Sequence, residues 1–342
     1  MDIEKEIGDE RIIPRISVAM TTYNGEKYLR DQMDSLLRQT YLPFEIIVVD
    51  DASNDGTWEM LQEFEKEVPF VHCYQNEKNL GPLGSFRRAF SLVKGDYIAP
   101  CDQDDIWFED RLEKCYMAMD DTIRMVFCQD RIWYADGSFQ DTHHPTYSLD
   151  DILYSPRCTG HTCLFDRKAL EVFDWVSFIC FDWALVLWGI SAKAYKQIDY
   201  VGCKWRRHTG ALTSTVGGGN SFLIDKKSSK WKRFFRALWS LMIGKHSNCI
   251  EKDARDQSII LSRFVESNES LRPYCVLADC YQKQTFFSML QAAFTNVFIW
   301  RSKPDYKQFS LKTRLARMSW AFRYPYIWWL DLRTYLESIG CY

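Results

Sequence analysis

Short apolar runs alternate with segments of helical period over the first hundred residues of the chain. Four such runs predict strands, at residues 15–22, 44–51, 71–76 and 96–102, and the unbroken apolar run at 44–51 is typical of a buried parallel strand. Between the runs, apolar residues recur at helical spacing, as in Leu29, Met33 and Leu36. Repeated strand and helix in this order predict an α/β fold with a parallel sheet, helices on both faces and right-handed crossovers.

Polar residues after the first two strands predict where the helices begin. Asn24 is expected to cap the first helix, and Asp55 or Thr57 the second. The carboxyl ends of parallel strands lie at one edge of a sheet, which is where such folds bind ligands. Four polar loops should therefore meet there, with the sequences TTYNG, DDASNDG, NEKNLG and CDQDD.

The pattern changes beyond residue 120. A strand runs into a turn from residue 124, a loop follows with His143 and His144, and the glycine-rich stretch 209–221 is typical of a mobile loop or a linker. Later segments are helical in period. We therefore predict a first domain at residues 1–215 and a helical C-terminal region at residues 216–342.

Charge is distributed unevenly along the 342 residues. Residues 1–225 carry 23 Lys and Arg against 37 Asp and Glu, whereas residues 226–342 carry 20 against 9. The N-terminus is acidic and lacks the apolar core of a secretory signal, and the apolar stretch 172–190 contains two aspartates, which makes it a poor membrane span. These features favour a protein made and kept in the cytoplasm. The 12 cysteines form no CxxC pair, as expected of free thiols in a reducing compartment.

An acidic cluster follows the fourth predicted strand, at Asp102, Asp104 and Asp105. Carboxylates this close repel one another unless water screens them on a loop or a cation lies among them. Oxygen ligands at a strand end suit a hard divalent cation, Mg²⁺ or Mn²⁺.

Five ordered motifs between residues 14 and 212 resemble the inverting glycosyltransferases of family 2, in their rhamnosyltransferase-like branch. They read VAMTTYNGEKYL, EIIVVDDASNDGT, NLGPLGSFRRAF, GDYIAPCDQDDIW and, further on, FDWALVLWG with WRRH. The resemblance implies a GT-A fold, in which a Rossmann-like, mostly parallel sheet binds a nucleoside-diphosphate sugar. It also implies a divalent metal held by an Asp-x-Asp motif, and it makes rhamnose one candidate sugar.

The resemblance also implies which residues bind the donor. They are Thr21, Thr22, Tyr23, Asp51, Asn79, Gly81, Arg88, Asp102 and Gln103. Asp51 would contact the base and ribose, while Asn79 and Gly81 would let the backbone approach the nucleotide. Arg88 or Arg87 would reach a phosphate, although either is equally well explained as a helix-surface arginine.

Asp50, beside Asp51, has two interpretations at this stage. It either contributes to the nucleotide contact or caps the turn that follows its strand.

The metal is implied to bind Asp102, Asp104 and His208, the last in the WRRH motif. An inverting enzyme also needs a carboxylate to accept the proton of the attacking hydroxyl. Asp182 is expected in that role, because its aromatic surroundings would raise its pKa. It is also a candidate cap for a helix starting at Trp183, and both roles can hold together.

Gly160, His161 and Trp183 are implied on the acceptor side, next to the donor sugar. The family commonly has a small residue or a cysteine after this glycine, so His161 departs from the pattern. The acceptor expected from the resemblance is a surface glycan or a lipid-linked glycan.

The C-terminal region interleaves basic and apolar residues. Residues 226–246 predict a basic amphipathic helix with an apolar stripe at Phe234, Leu238, Leu241 and Met242. Together with an aromatic cluster at 319–333, it favours peripheral association with the inner face of an anionic membrane, and packing of the stripe on the catalytic domain is the alternative. Nucleic acid is disfavoured as a partner because the acidic first part would repel its phosphates.

Three other functions are considered for this sequence. A non-catalytic nucleotide-sugar-binding scaffold would bind the donor without turnover. A nucleotidyltransferase would need a glycine- and lysine-rich loop after the first strand, and a dehydrogenase would need a GxGxxG motif. The first loop, TTYNGEKYL, fits neither of these last two requirements.

Overall fold

The fold is described from a computed structural model of the chain. It describes residues 5–7, 10–12, 14–142, 160–176, 181–208, 230–242, 244 and 247–338. These residues form two compact units. The first holds the described residues up to Asp174 and from Phe181 to His208, and the second holds Trp175, Val176 and the described residues from 230 onward. The predicted boundary at 215/216, the glycine-rich stretch 209–221, and His143 and His144 lie outside the described residues.

The first unit alternates strands and helices as predicted. Its strands are β1 Lys5–Ile7, β2 Glu10–Ile12, β3 Ile16–Thr22, β4 Glu45–Asp50, β5 Val71–Gln75, β6 Tyr97–Cys101, β7 Ile106–Trp107, β8 Met125–Trp133, β9 Phe139–Asp141, β10 Cys163–Asp166 and β11 Tyr195–Arg206. Its helices are α1 Glu26–Leu37, α2 Thr57–Glu67, α3 Gly81–Leu92, α4 Arg111–Met117, α5 Val172–Trp175, whose last residue belongs to the second unit, and α6 Phe181–Ser191, with short 3₁₀ turns at Gly160–Thr162 and Arg167–Glu171.

The main sheet has the order β5-β4-β3-β6-β10-β8-β11-β7, with β9 on β8, and β1 and β2 form a separate pair. The half from β5 to β6 is parallel, which confirms the predicted α/β fold. The other half is mixed, because β10 lies antiparallel between β6 and β8, while β11 is parallel to β8 and antiparallel to β7. This insertion brings the segment before β10 beside the loop after β6.

The core of the first unit is formed by strands that are buried along their length and by helix faces that pack on them. Every residue of β4 is buried, and in β3 all but Thr21 are buried, as expected for strands covered on both faces. The helix residues Leu29, Met33 and Leu36 pack into the same apolar cluster as these strands. Their helical spacing predicted this face correctly.

Two predicted helix caps are wrong. Gly25 and Gly56 occupy the N-cap positions of α1 and α2, and neither helix has a side-chain cap. Asn24 instead adopts a left-handed backbone with φ 47°, and its side chain accepts a hydrogen bond from the backbone of Asn54. Asp55 accepts a hydrogen bond from the Thr57 backbone nitrogen, so these polar residues tie the rim loops together.

The second unit is helical throughout its described part, as predicted for the C-terminal region. Its helices are α7 Lys230–Met242, α8 Asn248–Phe264, α9 Arg272–Lys283, α10 Phe286–Arg301 and α11 Leu311–Ser338, with 3₁₀ turns at Glu269–Leu271 and Tyr306–Gln308. Among the helices that the structure describes, none has the length and apolarity needed to cross a membrane.

A buried glutamine joins three parts of the second unit. Gln284, at the C-terminal end of α9, accepts hydrogen bonds from the Ser247 nitrogen at 3.0 Å and the Trp329 indole nitrogen at 2.9 Å, and it donates to the Ser247 oxygen at 2.8 Å. These bonds link the start of α8, the end of α9 and the middle of α11.

The apolar stripe predicted on α7 packs inside the second unit. Phe234 and Leu241 are buried, and the ring of Phe234 lies 5.2 Å from that of Tyr326. Leu238 is half-buried, so this part of the stripe packs within the unit, as the packing alternative expected of a helix in this region, and membrane association of the C-terminal region stays a prediction. Met242, assigned to the same stripe, is exposed on another face.

The nine described cysteines are free thiols, and seven of them are buried.

Candidate active site

Asp51 organises the loop between β5 and α3. Its carboxylate accepts hydrogen bonds from the backbone nitrogens of Leu80 at 2.7 Å and Gly81 at 2.8 Å, and from the side-chain amide of Asn76 at 2.7 Å. Asn79 also accepts a bond from the Gly81 nitrogen, and Gly81 has φ +73°, a conformation that glycine adopts with little strain. Three of the predicted donor-binding residues, Asp51, Asn79 and Gly81, thus lie together at the rim.

Asp50 supports the rim from below. It is fully buried, and it accepts hydrogen bonds from the Thr22 hydroxyl at 2.9 Å, the Ser53 nitrogen at 3.0 Å and the Gln75 side-chain amide at 3.1 Å. Of its two interpretations, the turn-capping one is confirmed by these contacts. The hydroxyl of Thr22 is engaged in the same framework, whereas the side chain of Tyr23 is exposed.

The first rim loop is held against the acidic loop by Gln103. Its amide accepts from the Tyr23 nitrogen at 2.8 Å and donates to the Tyr23 oxygen at 3.0 Å. A Cβ atom at Gly25 would lie 2.2 Å from the Gln103 Oε1 atom, so a larger residue there would displace the Gln103 amide from its bonds with Tyr23. The predicted donor residues Tyr23 and Gln103 are therefore direct neighbours.

Arg88 has partners within the fold. Its Nη1 atom donates to the backbone oxygen of Gln75 at 2.7 Å and to the side-chain oxygen of Asn76 at 2.6 Å. These bonds brace the loop that Asp51 organises. A contact between Arg88 and a phosphate remains a prediction.

The end of β11 lies beside the acidic loop. Strand β11 pairs with β7, which follows this loop directly, and so places WRRH next to it. The His208 Nε2 atom lies 2.7 Å from Asp104 Oδ2, and Arg206 donates to the Asp104 backbone oxygen at 2.9 Å and to the Asp105 carboxylate at 3.1 Å. The ring of Tyr28 lies 4.3 Å from that of His208. Two of the three predicted metal ligands are therefore in contact.

His161 is buried among three carboxylates. Its Nδ1 lies 3.7 Å from Asp102 Oδ2, and its Nε2 lies 4.0 Å from Asp105 Oδ2 and 3.5 Å from Asp130 Oδ2. Asp105 and Asp130 are fully buried, whereas 45% of the side chain of Asp102 is exposed. The residue predicted on the acceptor side thus lies directly behind the acidic loop.

These groups perturb one another electrostatically. Burial, reinforced by the charges of Asp104 and Asp102, raises the pKa of Asp105 to about 8 against the opposing effect of His161. Burial alone would lower the pKa of His161, but Asp105 and further acidic neighbours hold it well above its usual value. Burial, then Asp104, raises the pKa of Asp102 to about 6 although His161 opposes the shift, and solvent at its exposed part screens some of this effect. The protonation of His161 is therefore linked to that of Asp102 and Asp105.

Arg111 lies beneath His161 and is also buried. Its guanidinium donates to the His161 backbone oxygen and lies 3.5 Å from the centroid of the Trp107 ring. No motif in the sequence points to a role for Arg111 or Asp130. An arginine at the start of a helix and an aspartate within a strand are ordinary surface residues by pattern, so only the antiparallel insertion of β10 reveals their position.

Asp182 lies next to the turn that carries His161. It is the second residue of α6, and its Oδ1 accepts a hydrogen bond from the Trp183 nitrogen at 2.9 Å. A Cβ atom at Gly160 would lie 2.4 Å from the Phe181 ring and 3.3 Å from the Asp182 Cβ. The predicted base and the predicted acceptor-side residues Gly160 and Trp183 are thus adjacent, and α6 begins at Phe181 rather than at Trp183.

The residues around the acidic loop fit a divalent cation. Ligand atoms of Asp102, Asp105 and His161 lie within 4.8 Å of one another, and the buried Asp105 Oδ2 and His161 Nε2 have no hydrogen-bond partner. Carboxylate oxygens with an imidazole suit Mg²⁺ or Mn²⁺. Asp104 and His208 offer the same donor types on the neighbouring side of the loop.

A cleft of about 1070 Å³ lies elsewhere in the first unit, at the other end of β6. Its lining includes Asp96, which pairs with Arg15 at 2.9 Å, and Arg124, which pairs with Asp166 at 2.5 Å. These ion pairs involve three of the eight charged residues in its lining. The chemically reactive groups converge at the rim instead.

A half-parallel sheet with an acidic loop after its central strand β6 defines an α/β protein of the GT-A type. The profile of the family described as Glycosyl transferase family 2 matches residues 17–189, slightly more than half of the chain, and the chain belongs to this family. The predicted GT-A fold and family are thereby confirmed.

Relatives and solved structures agree with this assignment. The chain is 33% identical over 159 residues to TuaG of Bacillus subtilis (strain 168), provisionally named a teichuronic acid biosynthesis glycosyltransferase, and the match covers 45% of this chain and 63% of TuaG. It is 38% identical over 102 residues to EpsE of the same organism, provisionally named a glycosyltransferase, covering 30% of this chain and 37% of EpsE. The chain therefore matches only part of the length of these relatives.

A crystal structure of S. aureus TarS, residues 1–349 in complex with UDP-GlcNAc, is similar in fold. Its TM-score is 0.51 at 16% identity, and the match covers 96% of this chain and 93% of that one. At this identity the similarity shows the fold alone.

Proposed function

We propose that the chain is a metal-dependent, inverting glycosyltransferase. It would transfer one sugar from a nucleoside-diphosphate donor to a hydroxyl of a surface polysaccharide or a lipid-linked oligosaccharide. Membership of the family supports the class of reaction. The observation that carries the proposal is the contact of Asp104 with His208 on the rim that also holds Asp51 and His161. Rhamnose is a candidate sugar from the resemblance alone.

The donor would lie along the rim loops. Backbone of the Asn79–Gly81 segment, held by Asp51, offers a preformed surface for the base and ribose. The proposed ligands of Mg²⁺ or Mn²⁺ are Asp102, Asp104 and His208. Asp105 and His161 lie behind them and offer further ligand atoms. When bound, such a cation neutralises negative charge on the diphosphate.

Asp182 is the proposed base. As the acceptor oxygen forms a bond to the anomeric carbon, the bond from that carbon to the phosphate oxygen breaks, and its electron pair leaves with the nucleoside diphosphate. The proton of the acceptor hydroxyl passes to the Asp182 carboxylate. The bond from the Trp183 nitrogen orients the Asp182 side chain before the reaction.

We also propose that the enzyme works in the cytoplasm at the inner face of the membrane. The excess of basic residues in 226–342, 20 against 9 acidic, supports attraction to anionic lipid.

Donor turnover tests the proposed activity. Purified protein is incubated with a panel of uridine, guanosine and deoxythymidine diphosphate sugars with Mn²⁺, and the released nucleoside diphosphate is measured. We expect turnover of one donor that stops on adding EDTA. If the protein binds a donor but neither turns it over nor transfers its sugar to an acceptor hydroxyl, the non-catalytic scaffold would be favoured.

A further inference from the structure

Helix α7 has a second apolar face, on the side that its neighbours leave open. Trp231, Phe235, Trp239 and Met242 are 52%, 61%, 64% and 62% exposed. At 3.6 residues per turn these four side chains occupy an arc of about 80° and a length of about 16 Å. They are distinct from the buried face at Phe234 and Leu241.

This exposed face is held in place by α11. The guanidinium of Arg323 lies 4.1 Å from the centroid of the Trp231 ring, and the rings of Trp231 and Phe235 stack at 6.0 Å. Because the opposite face of α7 is buried, the helix cannot turn these aromatics inward without unpacking Phe234 from Tyr326. The exposed aromatics are therefore a constant feature of the folded unit.

Basic residues border the aromatic face on one side. Lys232 and Arg236 are exposed and follow Trp231 and Phe235 directly along the chain, and residues 230–242 contain no acidic residue. Helix α10 carries a similar exposed stripe at Phe287, Phe294 and Phe298, and the ring of Phe294 packs on Phe322, the neighbour of Arg323. Single exposed apolar residues are common on protein surfaces, but rows of them mark interaction sites.

We propose that the face formed by Trp231, Phe235, Trp239 and Met242 docks on an anionic lipid bilayer. Tryptophan favours the boundary between headgroups and acyl chains, where its ring is buried while its N–H stays hydrated. Exposed lysine and arginine beside such a face add attraction to anionic headgroups. The inference deepens the membrane location given under the proposed function, for which it names the surface.

A lipid surface explains this face better than nucleic acid. A phosphate backbone is bound mainly through basic side chains, with binding spread along a charged groove. Here the exposed face is predominantly aromatic, with the basic residues at its border.

Vesicle flotation of the full chain tests the proposal, with no donor or acceptor present. The probes are vesicles of phosphatidylcholine alone and of phosphatidylcholine mixed with phosphatidylglycerol. We expect the wild type to float with the mixed vesicles and to be released by high salt. Trp231→Ser/Phe235→Ser/Trp239→Ser should bind at least about tenfold more weakly. The matched control Leu42→Ser/Met117→Ser, which removes exposed apolar side chains from the first unit, should bind as the wild type does.

A second variant separates docking from folding. Lys232→Ser/Arg236→Ser leaves the aromatic face intact and should lose the preference for anionic vesicles. Circular dichroism and thermal unfolding confirm that each variant is folded. The proposal would be overturned if the wild type does not float, or if the aromatic triple variant binds vesicles as well as the wild type does. It would also be overturned if the triple variant loses self-association while no vesicle binding is seen. Donor turnover is measured separately, so a failure of docking and a failure of catalysis are different results.

Discussion

The Nε2 atom of His208 lies 2.7 Å from Oδ2 of Asp104, although the two residues are 104 positions apart. Strand β11 brings them together because it pairs with β7 immediately after the acidic loop. The ring of Tyr28 at 4.3 Å limits the positions that the imidazole can take. An acidic side chain and an imidazole that are already in contact at a strand end are well placed to bind a cation.

The proposed base gives the first prediction. Asp182→Asn keeps a similar shape and can still accept the hydrogen bond from the Trp183 nitrogen, but it cannot take a proton. We expect the variant to fold and bind donor normally while transfer falls about 10²- to 10⁴-fold. Steady-state transfer and donor binding are measured side by side. The matched control is Asp174→Asn, at an exposed position, and near-normal transfer by folded Asp182→Asn would remove Asp182 from the role.

Gly160 gives the second prediction. In Gly160→Ala the new Cβ would meet the Phe181 ring at 2.4 Å and the Asp182 Cβ at 3.3 Å, so the ring must move and Asp182 must give way slightly. We expect stability to fall by about 1–3 kcal/mol and turnover to fall about a hundredfold. Thermal unfolding and turnover of one preparation give both values. The control is Gly137→Ala, in a turn with φ +82° where the new Cβ meets no other atom. This variant should lose stability but keep its turnover. An equal loss of turnover in both variants would contradict this account.

The buried glutamine of the second unit gives the third prediction. Gln284→Ala leaves the Ser247 nitrogen, the Ser247 oxygen and the Trp329 indole without their bonds to this side chain. We expect the unfolding free energy to fall by about 2–4 kcal/mol. Urea unfolding followed by tryptophan fluorescence measures the change. Gln291→Ala, at an exposed position of α10, is the control and should be close to neutral.

Asp253 gives a prediction for pH dependence. Burial, followed by the charge of Asp256, raises the pKa of Asp253 to about 7. Its pKa in the unfolded chain is about 4, so between these two values the folded state binds more protons than the unfolded state. The contribution of the Asp253 carboxyl to the unfolding free energy is therefore fully present below a pH of about 4, and it is lost as the pH rises through about 7.

An asparagine at this position stays neutral at every pH. The melting temperature of Asp253→Asn should therefore exceed that of the wild type by a margin that grows from pH of about 5 to about 8. Calorimetry over this range measures the margin. Glu266→Gln, at an exposed position, serves as the control, and a margin for Asp253→Asn that does not change with pH would contradict the assignment.

Local patterns predicted the donor half of the first unit well. The apolar runs of β3, β4 and β6 are largely buried, and that signal is present in any short window of sequence. The polar loops after them follow from the rule that parallel strands end at one edge. The family resemblance, and not this rule, pointed to Asp51, Asn79 and Gly81 within these loops, and neither predicted their hydrogen bonds to one another.

The other half depends on long-range pairing, which no local pattern carries. Because β10 inserts antiparallel between β6 and β8, His161 meets Asp102, Asp105 and Asp130. Likewise, α7 has apolar residues on two faces, and only the packing of Phe234 on α11 decides which face is buried. Helical spacing alone placed the exposed Met242 in one stripe with the buried Phe234 and Leu241, because both faces of α7 have that spacing.

The central claim is that the acidic loop binds a nucleoside diphosphate through a divalent cation. Isothermal titration of the nucleoside diphosphate of the preferred donor, with Mn²⁺ and then with EDTA, tests it most directly, using the wild type, Asp104→Asn and the control Asp121→Asn. We predict strong binding by the wild type and Asp121→Asn only with Mn²⁺, and at least about tenfold weaker binding by Asp104→Asn, since charge-assisted metal contacts are lost. Equal affinity for the wild type with Mn²⁺ and with EDTA would contradict the claim.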